Sequence, residues 1–194
     1  MNKSPALYFS IDIETDGQSP GLSSMLQLGC AVFEPGVVDP IATFQQNLES
    51  LAGAAPDPAT MDWWQGFPEI WADLNKNQVY PGLVMERFAE WVVEISKGRR
   101  PVACAWPASW DWAFVYYYFN RFGVKSPFGH TALDIKTLWL AYTLKRDGRL
   151  GASGRTYKQD VPQEWKGDAK HTHVGIDDAI EQGRILINLL RELA

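Results

Sequence analysis

Between residues 7 and 14 apolar and polar side chains alternate, Leu7, Phe9, Ile11 and Ile13 against Tyr8, Ser10, Asp12 and Glu14. A period of two predicts a strand with one buried face, and it sends both carboxylates to the same side. The turn-rich GQSPGLSS follows. MLQLGCAVFE, closed by Pro35-Gly36, then predicts a second strand and IATFQQNL a third, so short connections join three strands in an antiparallel meander. The Trp-rich stretch over 56–77 carries no clear period and reads as irregular. Helical spacing returns in LVMERFAEWVVEIS, where Leu83, Phe88, Trp91, Val92 and Ile95 recur on one face. PVACAW predicts a short buried strand, and SWDWAFVYYYFNRFG a helix with Ser109 as N-cap and Gly123 as its stop. A strand-like piece at 131–133 leads into a helix at DIKTLWLAYTLKR, and a final helix covers about 175–193. The order β-β-β-α-β-α-β-α predicts an α/β protein, a mixed five-stranded sheet flanked by helices.

At 100° per residue the last helix sorts its acids. Asp177 falls with Glu181, Arg184, Asn188 and Arg191 on a polar face. Asp178 falls with Ile185 and Leu189 at the edge of an apolar arc containing Ile176, Ala179, Ile180, Gly183, Ile187 and Leu190. An acid turned toward the core needs a partner.

A chain of 194 residues fits one domain over 1–194, long enough to bury a substantial core. Its 18 basic and 23 acidic residues leave a net charge of -5, which excludes global attraction to a polyanion and leaves local patches or metals. Cys30 and Cys104 sit in apolar runs, as buried thiols of a reduced protein do. The opening MNKSPALYFSIDIE puts charge where a signal peptide needs an apolar core, and no run approaches the roughly 20 apolar residues of a membrane span. The expectation is a cytoplasmic protein with no membrane association.

Two carboxylates side by side on one strand face repel and resist desolvation unless a cation is held between them, so Asp12 and Glu14 point to a divalent metal as much as to a solvated strand end. Asp111 lies in a helix first turn, where the dipole stabilises an acid with or without a function. His173 precedes Asp178 by five residues and projects from the turn before the helix. His171, two residues earlier, is an equal candidate on composition alone.

Taken together, IDIETDG with Asp12-x-Glu14, WPASWDWAFV with Asp111, and HTHVGIDDA with His173-x4-Asp178 resemble the three motifs of the DEDDh branch of the DnaQ-like 3'-5' exonucleases. The resemblance runs from residue 7 to 190, and it implies a ribonuclease H-like fold. It implies that Asp12, Glu14, Asp111 and Asp178 bind two Mg²⁺ (or Mn²⁺) and that His173 is the general base. The implied reaction releases nucleoside 5'-monophosphates from the 3' end of single-stranded or short DNA or RNA. Relatives that pair imply a homodimer by analogy. Asp134 resembles an acid found before the penultimate helix in this family and reads as a structural cap. Asp16 reads as a solvated turn acid.

Trp63-Trp64 resembles the double Trp of a DexA-like and exoribonuclease AS-like subgroup, which makes the pair candidate base stackers, with Thr15 beside motif I as a further substrate contact. Residues 145–170 carry seven basic against four acidic residues, Arg149 and Arg155 among them, and lead into His173. This long connection predicts a basic flap on the sugar-phosphate backbone. A second reading from another class is a non-catalytic nucleic-acid-binding or scaffold module on the same fold. A binder has no need of four carboxylates and a histidine around a phosphate, and that favours the enzyme. Nothing in the sequence separates RNA from DNA.

Overall fold

The computed structural model describes residues 5–148, 157–168 and 172–194. Five strands form one sheet in the order β3-β2-β1-β4-β5: β1 (Leu7–Thr15), β2 (Met25–Phe33), β3 (Ala42–Asn47), β4 (Pro101–Ala105) and β5 (Leu133–Asp134). The first three are antiparallel, as the meander predicted, whereas β4 and β5 join parallel. The alternation in β1 decides which side each residue serves. Leu7, Phe9, Ile11 and Ile13 enter the main core beneath helices α3 (Pro81–Ser96) and α4 (Ala108–Arg121). Tyr8 packs on the opposite side, with α5 (Ile135–Asp147) and α7 (Gly175–Leu193). Asp12 and Glu14 share its parity, so both emerge under α7. Strand β2 is buried along its whole length because helices cover both of its faces.

The helix α7 comes unusually close to this sheet. A Cβ added to Gly29 would lie 2.3 Å from the Gly175 carbonyl carbon, and Gly29 is the β2 partner of Asp12. Two glycines thus let the start of α7 rest directly on the strands, where a methyl group would push it away.

Several expectations need correction. The stretch over 56–77 is not irregular: it forms two short helices, α1 (Pro58–Trp64) and α2 (Pro68–Leu74). Each opens on Pro, which suits a first helical position, and Asp57 caps α1 by accepting from the Thr60 N–H at 2.9 Å. Two turns are too few for an apolar period to stand out. Ser109 does not cap α4, which already begins at Ala108. The Ala108 N–H instead donates to Asp134 Oδ2 at 2.9 Å, while Asp134 Oδ1 accepts from Thr137 N at 2.7 Å. Asp134 therefore caps its own helix, as expected, and helps to hold a second one. Leu83 points outward, and the buried face of α3 is built from Val84, Met85, Phe88 and Val92. Asp16 is buried, its carboxylate accepting from the Ser24 N–H.

The described part of the connection before α7 also contains regular structure. Within residues 157–168 a 3-10 turn (Lys158–Asp160) and the short helix α6 (Gln163–Lys166) lie against α7, with Val161 and Trp165 in its apolar cluster. This cover buries Glu181, which the helical period alone had placed on a solvated face. Cys30 and Cys104 are free and buried, and burial pushes both thiols up from their ordinary range.

Candidate active site

The pairing of β1 with β4 ends at Ser10 and Cys104, so the last residues of β1 have an edge no strand covers. Asp111, in the first turn of α4, fills it: its Oδ1 accepts from the Ile13 N–H at 3.2 Å. A backbone donor that a longer β4 would have taken thus fixes a carboxylate between Asp12 and Glu14 in the chain order of β1. From the other side comes α7. Its N-terminal N–H groups have no local side-chain cap; Gly175 N donates to Gln27 Oε1 at 2.7 Å and Ile176 N to Gln45 Oε1 at 3.3 Å. Glutamines on β2 and β3 therefore cap a helix distant in sequence, and this sets the depth at which Asp178 enters.

Three ligand atoms, one each from Glu14, His173 and Asp178, all lie within 4.8 Å of one another. His173 has φ 56°, a left-handed backbone uncommon for a residue with a side chain. Its ring meets Trp63 edge-on at 4.9 Å and Phe67 at 4.6 Å between centroids. Strain of this kind, of order 1–3 kcal/mol, persists where surrounding contacts over-determine a conformation, and here an aromatic wall does so.

The electrostatics are those of crowded, desolvated acid. Asp12 is raised well above the usual carboxylate range, first by burial and then by the charges of Asp111, Glu14 and Asp178. Glu14 is raised by burial, then by Asp178 and Asp111. Asp111 is pushed up to about 7, because burial outweighs the hydrogen bonds from the Ile13 and Asp111 backbone and the nearby Lys158 charge. Carboxylates gathered in a buried place, where Asp12, Glu14 and Asp111 are costly to ionise first because of burial and then because of one another, fit a divalent cation of the Mg²⁺ or Mn²⁺ type.

Gln182, fully buried on α7, was missed by sequence reasoning. Its Nε2 donates to Asp12 Oδ1, while its Oε1 accepts from the Trp106 N–H at 2.8 Å. The signal was present, since Gln182 lies four residues after Asp178 and hence on the same helix face. Replacing Gln182 with Met should lower activity by about 10 to 100-fold, as loss of an orienting partner of a ligand commonly does. Activity measured across a Mn²⁺ titration checks this: an unchanged curve would mean that Asp12 needs no support from Gln182.

The candidate substrate residues separate. Trp63 is 45% exposed, but Trp64 is 2% exposed and spends its indole N–H on the Thr15 carbonyl at 2.9 Å, so it has no face to offer a base. Thr15 is likewise buried, although it lines a cleft of about 450 Å³ with Ile13, Glu14, Gln18, Thr60, Trp63 and Trp110. Arg149, Arg155 and His171 lie outside the described residues.

The model of the Rv2179c-like 3'-5' exoribonuclease domain matches residues 8–190. The chain belongs to that family. A relative, the 3'-5' DNA exonuclease Cap18 of Escherichia coli, is 30% identical over 200 residues, spanning 99% of this chain and 97% of its own. Among solved structures, the nuclease domain of 3'hExo, a DEDDh family member bound to rAMP, superposes with a TM-score of 0.69 at 13% identity, over 98% of this chain and 94% of that one. Product-bound exonuclease I gives 0.68 at 12%, over 98% of this chain and 46% of the other, so this Rv2179c-like chain spans about half of exonuclease I. The fold is ribonuclease H-like, shared with these solved nucleases, and by its family the Rv2179c-like chain is a 3'-5' exonuclease. No described helix is long and apolar enough to cross a membrane.

Proposed function

We propose that this protein removes nucleotides one at a time from the 3' end of single-stranded nucleic acid, with two divalent ions held by Asp12, Glu14, Asp111 and Asp178. The observation that carries the reading is the convergence of Glu14, His173 and Asp178 ligand atoms within 4.8 Å. These residues come from a strand, a turn and a helix, beside a cleft of single-nucleotide scale. When bound, the ions supply charge that stabilises the attacking and leaving oxygens at phosphorus. His173, braced by Trp63 and Phe67, takes the proton of the attacking water. Water oxygen bonds to phosphorus, the P–O3' bond breaks, and the shortened strand leaves with its 3' oxygen reprotonated from solvent. The product is a nucleoside 5'-monophosphate. Trp63 and Trp110, both partly exposed at the cleft, are placed to stack on an unpaired base, which a duplex end would not present.

The family description names RNA and the Escherichia coli relative DNA, so the experiment uses both. Matched RNA and DNA strands labelled at the 5' end are incubated with Mg²⁺, Mn²⁺ or EDTA. A ladder shortening from the 3' end, absent in EDTA and in Asp12→Ala, is expected. Intact strands under every metal would overturn the reading.

A further inference from the structure

Trp63 and Phe67 hold the ring of His173, but its left-handed backbone, φ 56°, is held by a different residue. Asp177 lies in the first turn of α7. Its N–H donates to the Val174 carbonyl at 2.9 Å, just after the histidine, and its Oδ2 accepts from the Thr172 hydroxyl at 2.9 Å, just before it. One aspartate thus spans His173 and ties down the residues on both sides. An acid at the third helical position ordinarily turns back to the N–H of the cap residue. Here the cap is Val174, and the carboxylate reaches two residues past it, to a side chain instead of the backbone. A first-turn acid serves the helix dipole without any bond to Thr172, so this bond adds something the helix does not need.

What it adds is an anchor. The start of α7 rests on the sheet through the bonds from Gly175 N to Gln27 and from Ile176 N to Gln45, which makes Asp177 a fixed point. The imidazole shares a space only 4.8 Å across with ligand atoms of Glu14 and Asp178. A small rotation of the backbone at His173 would carry the ring out of that group and leave both carboxylates where they are. We propose that the Thr172–Asp177 pair positions His173 for proton transfer, closing the turn around it and fixing where the imidazole meets the attacking water. Both are positioning residues: neither transfers a proton, and each acts only through the histidine. The inference rests on the nuclease reading above.

Thr172→Val, Thr172→Ser, Asp177→Ala and Asp177→Asn are compared with wild type on the same 5'-labelled strands, with kcat and KM separated and Mn²⁺ titrated. Valine keeps the shape of threonine and loses the donor, whereas asparagine keeps an acceptor oxygen and loses the charge. Thr172→Val and Asp177→Ala should each lower kcat by about 10 to 100-fold, with KM and the Mn²⁺ midpoint changed less than about threefold, the scale on which slight misplacement of a reacting group acts. Thr172→Ser and Asp177→Asn should recover most of the loss, because the hydrogen bond can still form. Added to His173→Asn, with enzyme in excess over substrate, Thr172→Val should cost less than about twofold more, since no imidazole remains to be positioned. Four results would each overturn the inference: Thr172→Val within about threefold of wild-type kcat, a loss that more Mn²⁺ restores, Thr172→Ser as slow as Thr172→Val, or an undiminished loss in the His173→Asn background. If Thr172→Val does not fold, Thr172→Ala is read in its place by the same criteria. Wild type that leaves the strands intact would instead sink the nuclease reading, so the two failures are distinguishable.

Discussion

His173→Asn is expected to lower kcat by about 10² to 10⁴-fold, the range associated with loss of a positioned general base, while the protein stays folded and still gains stability from Mn²⁺. Asparagine is the informative replacement because it tolerates the left-handed backbone that this position holds, φ 56°. Alanine would add backbone strain to the loss of the imidazole and blur the cause. The wall of Trp63 and Phe67 should survive the change, since Trp63 also packs on Trp64 and Phe67, which do not depend on the histidine. A drop in kcat with an unaltered Mn²⁺-dependent rise in Tm assigns His173 to proton transfer. A kcat within about tenfold of wild type would place the base elsewhere, and a lost Mn²⁺ response would make His173 a ligand.

Asp111→Asn should make the metal-free protein more stable at pH 8, against the usual expectation for a change in an active site. In the folded chain burial raises Asp111 to about 7 and holds Asp12 and Glu14 well above the usual carboxylate range. In the unfolded chain they return to roughly 4. Between those values the native state binds more protons than the unfolded one. Stability in EDTA therefore falls as pH rises from about 4 through these raised values, with the Asp111 contribution lost as pH passes about 7. Asparagine removes one of these charges and keeps an oxygen to accept from Ile13 N. Mn²⁺ works the other way, because it binds the deprotonated acids. At about 100 times its dissociation constant it should raise the wild-type Tm by roughly 5 to 10 °C at pH 8 and by much less at pH 5. Asp111→Asn should show little of that gain. Thermal melts at both pH values, with EDTA or Mn²⁺, test the whole set; a wild type whose Tm climbs from pH 5 to 8 in EDTA, with Asp111→Asn no more stable at pH 8, would refute it.

The mixed sheet, the order of elements along the chain and the facing of Asp12, Glu14 and Asp178 were legible because each depends on a short-range rule, whereas Asp111 stood out only through the family resemblance. Alternation placed two acids on one strand face, and helical spacing turned Asp178 inward. What escaped depends on partners far away in sequence. Trp63 and Trp64 are chemically equivalent as neighbours in a string, and only the Thr15 carbonyl decides which of them is buried. Glu181 sits at a polar helical position by period, yet the 3-10 turn folds over it and pairs it with Lys158. The caps on α4 and α7 were unreadable for the same reason, since Asp134, Gln27 and Gln45 supply them from other elements. Helices α1 and α2 were too brief for a period to emerge.

The hydrogen bond from Gln182 to Asp12 joins groups 170 residues apart along the chain. On the ribosome, at about 5 to 20 residues per second, β1 therefore waits on the order of ten seconds before the helix that completes its cluster has been made. During that interval the nascent polypeptide carries at most three of the four acids proposed to hold the metals and no Asp178, so it cannot complete the proposed site. On the proposed function, synthesis order alone would keep the growing chain inert toward nucleic acid, and a product interrupted before α7 would share that inertness.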